Sequence, residues 1–229
     1  MVQELIKEKW CEVVEYEYSL HIAVVLGILI AIFGGREGYQ WYVASRERAA
    51  QIVMAEAFEE YEKALYNAIE QKDSKELSDQ KFEDAKIAFD VVIRQHAGSL
   101  LVPYAFAFQA DIALQKGDRK TALNMLEAGI SKMSSGAPAY YLLKTKYALV
   151  TLDDGQVEQA LSELHALTTD TKNPNADTAA FYLGYYYWTK QDATKAREVW
   201  KLLEAFDKKN TRSTSPWLSL VKAKLQQIS

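Results

Sequence analysis

Residues that could act as nucleophiles, bases or metal ligands are few and widely separated in this sequence of 229 residues. There is one cysteine, Cys11, and there are three histidines, His21, His96 and His165. A single Cys excludes a disulfide framework and a zinc site built on several thiolates. The sequence has no HExxH, GxSxG or phosphate-binding glycine loop. We therefore predict that the protein is not an enzyme and requires no metal or other cofactor.

Aromatic side chains provide a second kind of chemistry, the binding of apolar segments of other proteins. Phe181, Tyr185 and Trp188 recur at i, i+4 and i+7, which places them on one face of a helix. Rigid aromatic side chains are common at the energetic centres of protein interfaces. The predicted binding face comprises these three residues together with Tyr104, Asp111, Leu142 and Thr145. The alternative is that a following helix covers the aromatic stripe, with Trp217 as the covering residue, and makes it part of the core.

Composition and spacing indicate that helices position these side chains. The chain has only 10 Gly and 4 Pro, too few turn-forming residues for the many short strands of a β-sandwich. Apolar residues recur at helical spacing between short breaks. The predicted helices cover residues 46–71, 79–97, 103–116, 119–133, 138–152, 156–169, 176–190, 193–208 and 215–227.

The predicted helices form pairs that repeat with a nearly constant period. The second helix of each pair has an early alanine followed four residues later by a bulky apolar residue: Ala85 and Phe89, Ala122 and Leu126, Ala160 and Leu164, Ala196 and Trp200. A small residue beside a bulky one lets two helices pack closely. The pattern resembles the tetratricopeptide repeat, whose period of about 34 residues is slightly shorter than the spacing of these alanines. It predicts an all-α protein whose main part is a tetratricopeptide-like α-solenoid of about four helix pairs with a C-terminal capping helix.

An apolar run precedes this helical part. Residues 20–33 contain no Asp, Glu, Lys or Arg, and aromatic residues flank them on both sides. A helix over this run alone is about 21 Å long, so its flanks are needed to cross a hydrocarbon core of about 30 Å. The alternatives are a buried core helix and a cleaved signal peptide. The run is apolar on all faces, and residues 1–19 hold five Glu and two Lys, so we predict a single, retained membrane anchor.

Three domains follow from this pattern: an acidic tail over 1–18, a transmembrane anchor with its aromatic flank over 19–43, and a helical-repeat domain over 44–229. Within the anchor, Gly27, Ala31 and Gly35 form a stripe of small residues. Such a stripe predicts a face that packs against another membrane helix, although small residues are also common in isolated anchors.

Charge constrains the partners and leaves the orientation open. The formal net charge is −4, and from residue 38 onward there are 25 acidic and 24 basic residues. A nearly neutral body argues against nucleic acid and strongly charged lipids as partners. Basic residues near the anchor do not settle its orientation and lean towards a cytoplasmic C-terminal part.

The combination of acidic tail, anchor, aromatic flank and helical repeats resembles the family of ancillary subunits of the bacterial SecYEG translocon. The similarity rests on the anchor with Trp41-Tyr42 after it, the run Glu60–Tyr66, the turn and helix KQDATKAREVW, and the ending SPWLSL…LQQIS. None of these features is a catalytic signature.

The resemblance implies a single-pass protein of the bacterial inner membrane with a cytoplasmic N-terminus and a periplasmic C-terminal domain. Its implied partners are the SecYEG translocon, a membrane-anchored periplasmic chaperone and emerging polypeptides. Its implied role is a protein-binding module that assists export. The alternative function is a tetratricopeptide-repeat scaffold in another assembly process of the cell envelope.

Overall fold

The computed structural model of the protein describes residues 39–69, 75–209 and 215–227. Within these ranges the secondary structure is helix and turn, without strand. The helices are α1 (39–69), α2 (Lys75–Gln95), α3 (Val102–Gln115), α4 (Arg119–Ser131), α5 (Pro138–Asp153), α6 (Val157–Thr169), α7 (Ala176–Thr189), α8 (Ala193–Lys209) and α9 (Leu218–Gln227). The predicted all-α class is confirmed for these residues.

Three predicted helix starts differ from the structure by three residues or more. Helix α2 begins at Lys75, four residues before the predicted start at residue 79. Helix α1 is already helical at residue 39, although the prediction places its start at residue 46. Helix α9 begins at Leu218 rather than at Ser215. The Ser215 hydroxyl donates a hydrogen bond to the Asp177 carboxylate at 2.6 Å and accepts one from the Trp217 N–H at 3.3 Å. Ser215 therefore joins the start of α9 to α7 and precedes a turn.

The predicted membrane anchor lies largely outside the described residues. Contacts divide the chain into the units Met1–Ala49 and Ala50–Ser229, and the structure describes the first unit only from residue 39 onward. None of the described helices is both long enough and apolar enough to span a bilayer. The tail and the stripe of small residues in the anchor also lie outside the described ranges, so all three stay predictions.

The second unit is a succession of helices packed against their neighbours in sequence. From α2 to α9, the most extensive contacts join consecutive helices. The four early alanines and the four bulky residues that follow them are all fully buried: Ala85, Phe89, Ala122, Leu126, Ala160, Leu164, Ala196 and Trp200. The predicted role of these positions in helix packing is confirmed. This arrangement of helix pairs is the tetratricopeptide-like solenoid that the repeat pattern predicts.

Three turns between paired helices share one backbone conformation. A residue with positive φ follows each first helix: Gly117 at 77°, Gly155 at 88° and Gln191 at 60°. The N–H of the next residue then donates to a carbonyl five residues earlier, joining Asp118 to Ala113, Gln156 to Thr151 and Asp192 to Tyr187. This geometry satisfies carbonyl groups at the helix end, and it favours Gly because a Cβ is strained at positive φ.

Replacing Gln191 by Gly should stabilise the protein by about 0.5–1 kcal/mol. The left-handed conformation costs a residue with a Cβ about 1–2 kcal/mol, and the greater flexibility of Gly in the unfolded chain offsets part of that gain. Urea unfolding monitored by circular dichroism measures the change. The reciprocal control is Gly155→Gln, which has open space around its Cβ position and should destabilise the protein. A loss of stability in Gln191→Gly would contradict this account of the turn.

Candidate protein-binding surface

An open apolar groove lies between α1 and α3. Its volume is about 510 Å³, within the range of about 300–1,000 Å³ typical of ligand sites in proteins. Its lining residues are Gln51, Met54, Ala55, Phe58, Leu101, Tyr104 and Phe108. The Gln51 amide and the Tyr104 hydroxyl are the polar side-chain groups of this lining. The groove therefore suits apolar side chains of a partner.

Aromatic rings beneath the groove fix its shape. Phe108 stacks on fully buried Phe89 with ring centroids 5.1 Å apart and an interplanar angle of 7°. The rings of Phe58 and Tyr61 lie 5.3 and 5.5 Å from that of Phe108. These rings come from α1, α2 and α3, so packing among the three helices determines the floor. Phe58 is 37% exposed and Tyr104 is 39% exposed, which leaves both accessible to a partner.

Polar contacts hold α3 in place beside the groove. The Gln109 amide donates to the Lys86 carbonyl at 3.2 Å and to the Asp90 carboxylate at 2.7 Å, which joins α3 to α2. Asp111 forms an ion pair with Lys146 of α5. Burial, with a further contribution from the Asp111 charge, raises the pKa of Tyr61 above its ordinary value. Neighbouring helices on both sides therefore position α3, and the groove is formed before a partner binds.

The residues predicted for the binding face fall into two groups. Tyr104 lines the groove, Leu142 of α5 is 49% exposed, and Asp111 is paired as described above. Thr145 and Phe181 are buried, with 3% and 6% exposed, so these two do not present a surface. The binding role of the predicted set stays a prediction.

The position of each residue relative to its positive-φ turn explains this division. Tyr104 and Leu142 precede the turn glycines of their own helix pairs by the same number of positions. Thr145 and Phe181 both lie three positions closer to their turn residues. A shift of three positions leaves a side chain about 60° short of a full helical turn, enough to move it from the helix surface towards its packed side. The predicted face thus mixed two helical registers.

Trp217, in the turn before α9, and Lys224 of α9 cover part of the aromatic stripe of α7. The Trp217 ring stacks on Phe181 with centroids 4.3 Å apart and an interplanar angle of 12°. Tyr185 stacks on Phe181 and on Trp188 at 5.9 and 5.7 Å, and the Lys224 ammonium lies 3.6 Å from the Trp188 centroid. The alternative in which Trp217 makes the stripe part of the core is confirmed for Phe181. Tyr185 keeps 39% of its surface exposed.

Replacing Trp217 by Ala should destabilise the packing of α9 on α7 by about 2–3 kcal/mol. The substitution removes the stacking on Phe181 and a 3.1 Å hydrogen bond from the indole N–H to the Thr178 hydroxyl. Denaturant unfolding measures the loss, and hydrogen exchange should show faster exchange in α9. Leu220→Ala in the first turn of α9, at a side chain 43% exposed, should change stability by less than about 0.5 kcal/mol. Equal losses in the two variants would show that Trp217 does not anchor α9.

Sequence reasoning missed most of the residues that line the groove, including all those of α1. Met54, Phe58 and Phe108 line the groove but are absent from the predicted set. Helical spacing carries a signal for two of them, because Phe58 follows Met54 by four residues and Phe108 follows Tyr104 by four. The meeting of the two stripes depends on how α1 packs beside α3, which no local pattern reveals.

Metal chemistry has no candidate centre in the described ranges: no group of three or more His, Cys, Asp and Glu residues there could hold an ion. Cys11 and His21 lie outside those ranges.

The sequence matches the tetratricopeptide repeat-like domain family over residues 15–229. The chain belongs to this family. The fold is typically a non-enzymatic scaffold, and the chain is accordingly a tetratricopeptide-like repeat protein of the class that mediates protein–protein interaction. No curated protein matches the chain.

Solved structures similar to the chain include two that are described as having tetratricopeptide repeats. A single-residue variant of a putative kinesin light chain from Podosopora anserina has a TM-score of 0.50 at 17% identity, covering 74% of this chain and 83% of its own. A tetratricopeptide repeat protein from Parabacteroides merdae has a TM-score of 0.48 at 18% identity, covering 74% and 60%. BtubC (BKLC) from P. vanneervenii has a TM-score of 0.46 at 13% identity, covering 81% of each chain. At these identities the likeness concerns the fold alone.

Proposed function

We propose that the protein is a membrane-anchored binding module that assists protein export at the SecYEG translocon. It links the channel to a membrane-anchored periplasmic chaperone or holds emerging polypeptides. The observation that carries the binding role is the preformed apolar groove between α1 and α3, with Phe58 and Tyr104 accessible at its surface. Export clients expose apolar side chains before they fold, and such side chains gain free energy on entering an apolar groove.

The proposed membrane location is supported by the aromatic residues at the start of α1. Tyr39, Trp41 and Tyr42 are 69%, 69% and 53% exposed. Trp and Tyr are enriched at membrane–water interfaces, where an amphipathic ring contacts both headgroups and acyl chains. The family match begins at residue 15 and so includes the apolar run 20–33. The translocon as partner rests on the sequence resemblance to the ancillary subunits.

Protease accessibility tests the proposed location. Protease is added to spheroplasts with an intact inner membrane, and a C-terminal tag on the full chain is followed. Periplasmic repeats predict digestion without lysis. Protection until lysis, with digestion afterwards, would place the repeats in the cytoplasm and exclude a role on the periplasmic side of the channel.

Co-purification tests the proposed partner. In mild detergent, the tagged full chain should retain the SecYEG channel, and a tagged inner-membrane protein of unrelated function serves as control. Retention of another envelope assembly machine in place of the channel would support the alternative scaffold function instead.

A further inference from the structure

The helices that form the groove carry an unequal distribution of charge. Helix α1 holds five Glu against two Arg and one Lys, with both Arg before the groove residues, and α3 holds one Asp and no basic residue. Residues 38–229 together are nearly neutral, with 25 acidic and 24 basic residues. Glu62 lies on the same face of α1 as the groove residues and Glu59 lies at the edge of that face, whereas Glu56 and Glu60 face away from it. Glu59 also forms an ion pair with Lys63 at 2.8 Å, so the acidic charge beside the groove is centred on Glu62.

The acidic side chains lie where a partner in the groove would pass. Glu62 follows Phe58 by four residues, so it continues the groove-facing line of α1 about 6 Å further along the helix. Asp111 follows Phe108 by three residues on α3, and its charge acts on Tyr61 of α1. Both acids thus lie beyond the same end of the groove. Asp111 is paired with Lys146, whereas Glu62 is exposed to solvent.

The N-terminal tail of the same chain is a poor occupant of this groove because of its charge. Residues 1–19 hold five Glu and two Lys, so their net charge has the same sign as the groove surroundings. Like charges at an interface disfavour association, whereas complementary charges favour encounter and register. A partner with basic residues has the complementary charge.

We propose that the groove between α1 and α3 selects apolar polypeptide segments flanked by Lys or Arg. Apolar side chains of the segment contact Phe58 and Tyr104, and its basic residues lie against Glu62 and, at the edge of the same face, Glu59. The apolar contact supplies most of the affinity, and the acids select the partner and speed its encounter. This inference rests on the proposed binding role of the groove and specifies the chemical class of the partner.

Three fluorescent peptides with one apolar centre and flanking Lys, Gln or Glu residues provide the test. Each is titrated by fluorescence anisotropy against the full chain in nanodiscs of uncharged phosphatidylcholine, with empty nanodiscs as the blank. The Lys peptide should bind about tenfold more tightly than the Gln peptide at low ionic strength, and the Glu peptide should bind more weakly than both. Raising the salt concentration should reduce the difference, because these charges are exposed.

Matched charge variants separate the effect of the glutamates beside the groove from the effect of the protein's net charge. Glu62→Gln alone should reduce the preference for the Lys peptide, and Glu59→Gln with Glu62→Gln should remove most of it, while binding of the Gln peptide stays unchanged in both. The double variant also breaks the ion pair between Glu59 and Lys63, which the single variant leaves intact. The control pair Glu127→Gln with Glu158→Gln changes the net charge equally on the exposed surfaces of α4 and α6 and should leave the preference intact. Equal effects of the two pairs would overturn the proposed selection.

The remaining outcomes distinguish this inference from the proposed function. Equal affinity for the three peptides, with binding lost in Tyr104→Ala, would overturn the charge selection and keep the groove as a binding site. Tightest binding of the Glu peptide would overturn the selection as well. If no peptide binds, the groove's binding role fails with it, and a dimer seen by mass photometry would then assign the groove to a second copy of the chain.

Discussion

Replacing Gly184 by Ala should destabilise the protein by about 1–2 kcal/mol net, although Ala is the better helix former. A Cβ at this position would lie 2.3 Å from the indole nitrogen of Trp200 and 2.5 Å from its Cδ1. Trp200 is fully buried and donates a hydrogen bond to the Phe181 carbonyl at 3.3 Å, so its ring has no room to move aside. Overpacking of this kind costs about 1–3 kcal/mol, and it opposes a gain of about 1 kcal/mol from helix propensity.

Denaturant unfolding of the full chain measures this effect, and Gly136→Ala is the matched control. The Cβ position of Gly136 has no atom within 4 Å and its φ is not positive, so the control should be neutral or slightly stabilising. In a Trp200→Leu background, Gly184→Ala should lose its cost, because the smaller side chain leaves room for the methyl group. Full destabilisation in that background would show that the contact with Trp200 is not the cause.

Replacing Tyr104 by Ala should weaken binding of the uncharged, Gln-flanked peptide by about 10- to 100-fold. Tyr104 forms one wall of the groove, and truncating an aromatic anchor at the centre of an interface costs about 2 kcal/mol or more. The side chain is 39% exposed, so the midpoint of unfolding should change little. Anisotropy titration measures the affinity, and thermal unfolding of the same samples monitors the fold.

The control for Tyr104→Ala is Ile87→Ala. Ile87 of α2 is 55% exposed and does not line the groove, so its truncation removes a comparable apolar surface elsewhere. Its affinity for the peptide should match that of the unmodified chain. An equal loss of affinity in the two variants would indicate non-specific adsorption to exposed apolar surface.

The repeat was predictable because each unit carries its own signal. An early Ala with a bulky residue four positions later, preceded by a short turn, is sufficient to locate a helix pair. The turns at Gly117 and Gly155 are evident from composition. Gln191 adopts the same conformation without being Gly, and its position was predictable only from the period of the repeat.

The binding surface was less predictable, because it depends on distances between helices. Spacing alone selected Tyr104 and Leu142, which are exposed, and it also selected Phe181, which is buried and stacks under Trp217. Whether an apolar stripe is exposed depends on which helix lies over it. That is a property of the tertiary packing of α9, not of the helix that carries the stripe.

Site-specific photo-crosslinking in intact cells tests the central claim most directly. A photoreactive phenylalanine analogue replaces either Tyr104 in the groove or Ile87 on α2 of the full chain. The account predicts crosslinks from position 104 to the SecYEG channel, a membrane-anchored chaperone or exported polypeptides, and far fewer from position 87. No crosslinks from position 104, or the same products from both positions, would contradict the assignment of the groove as the binding surface at the translocon.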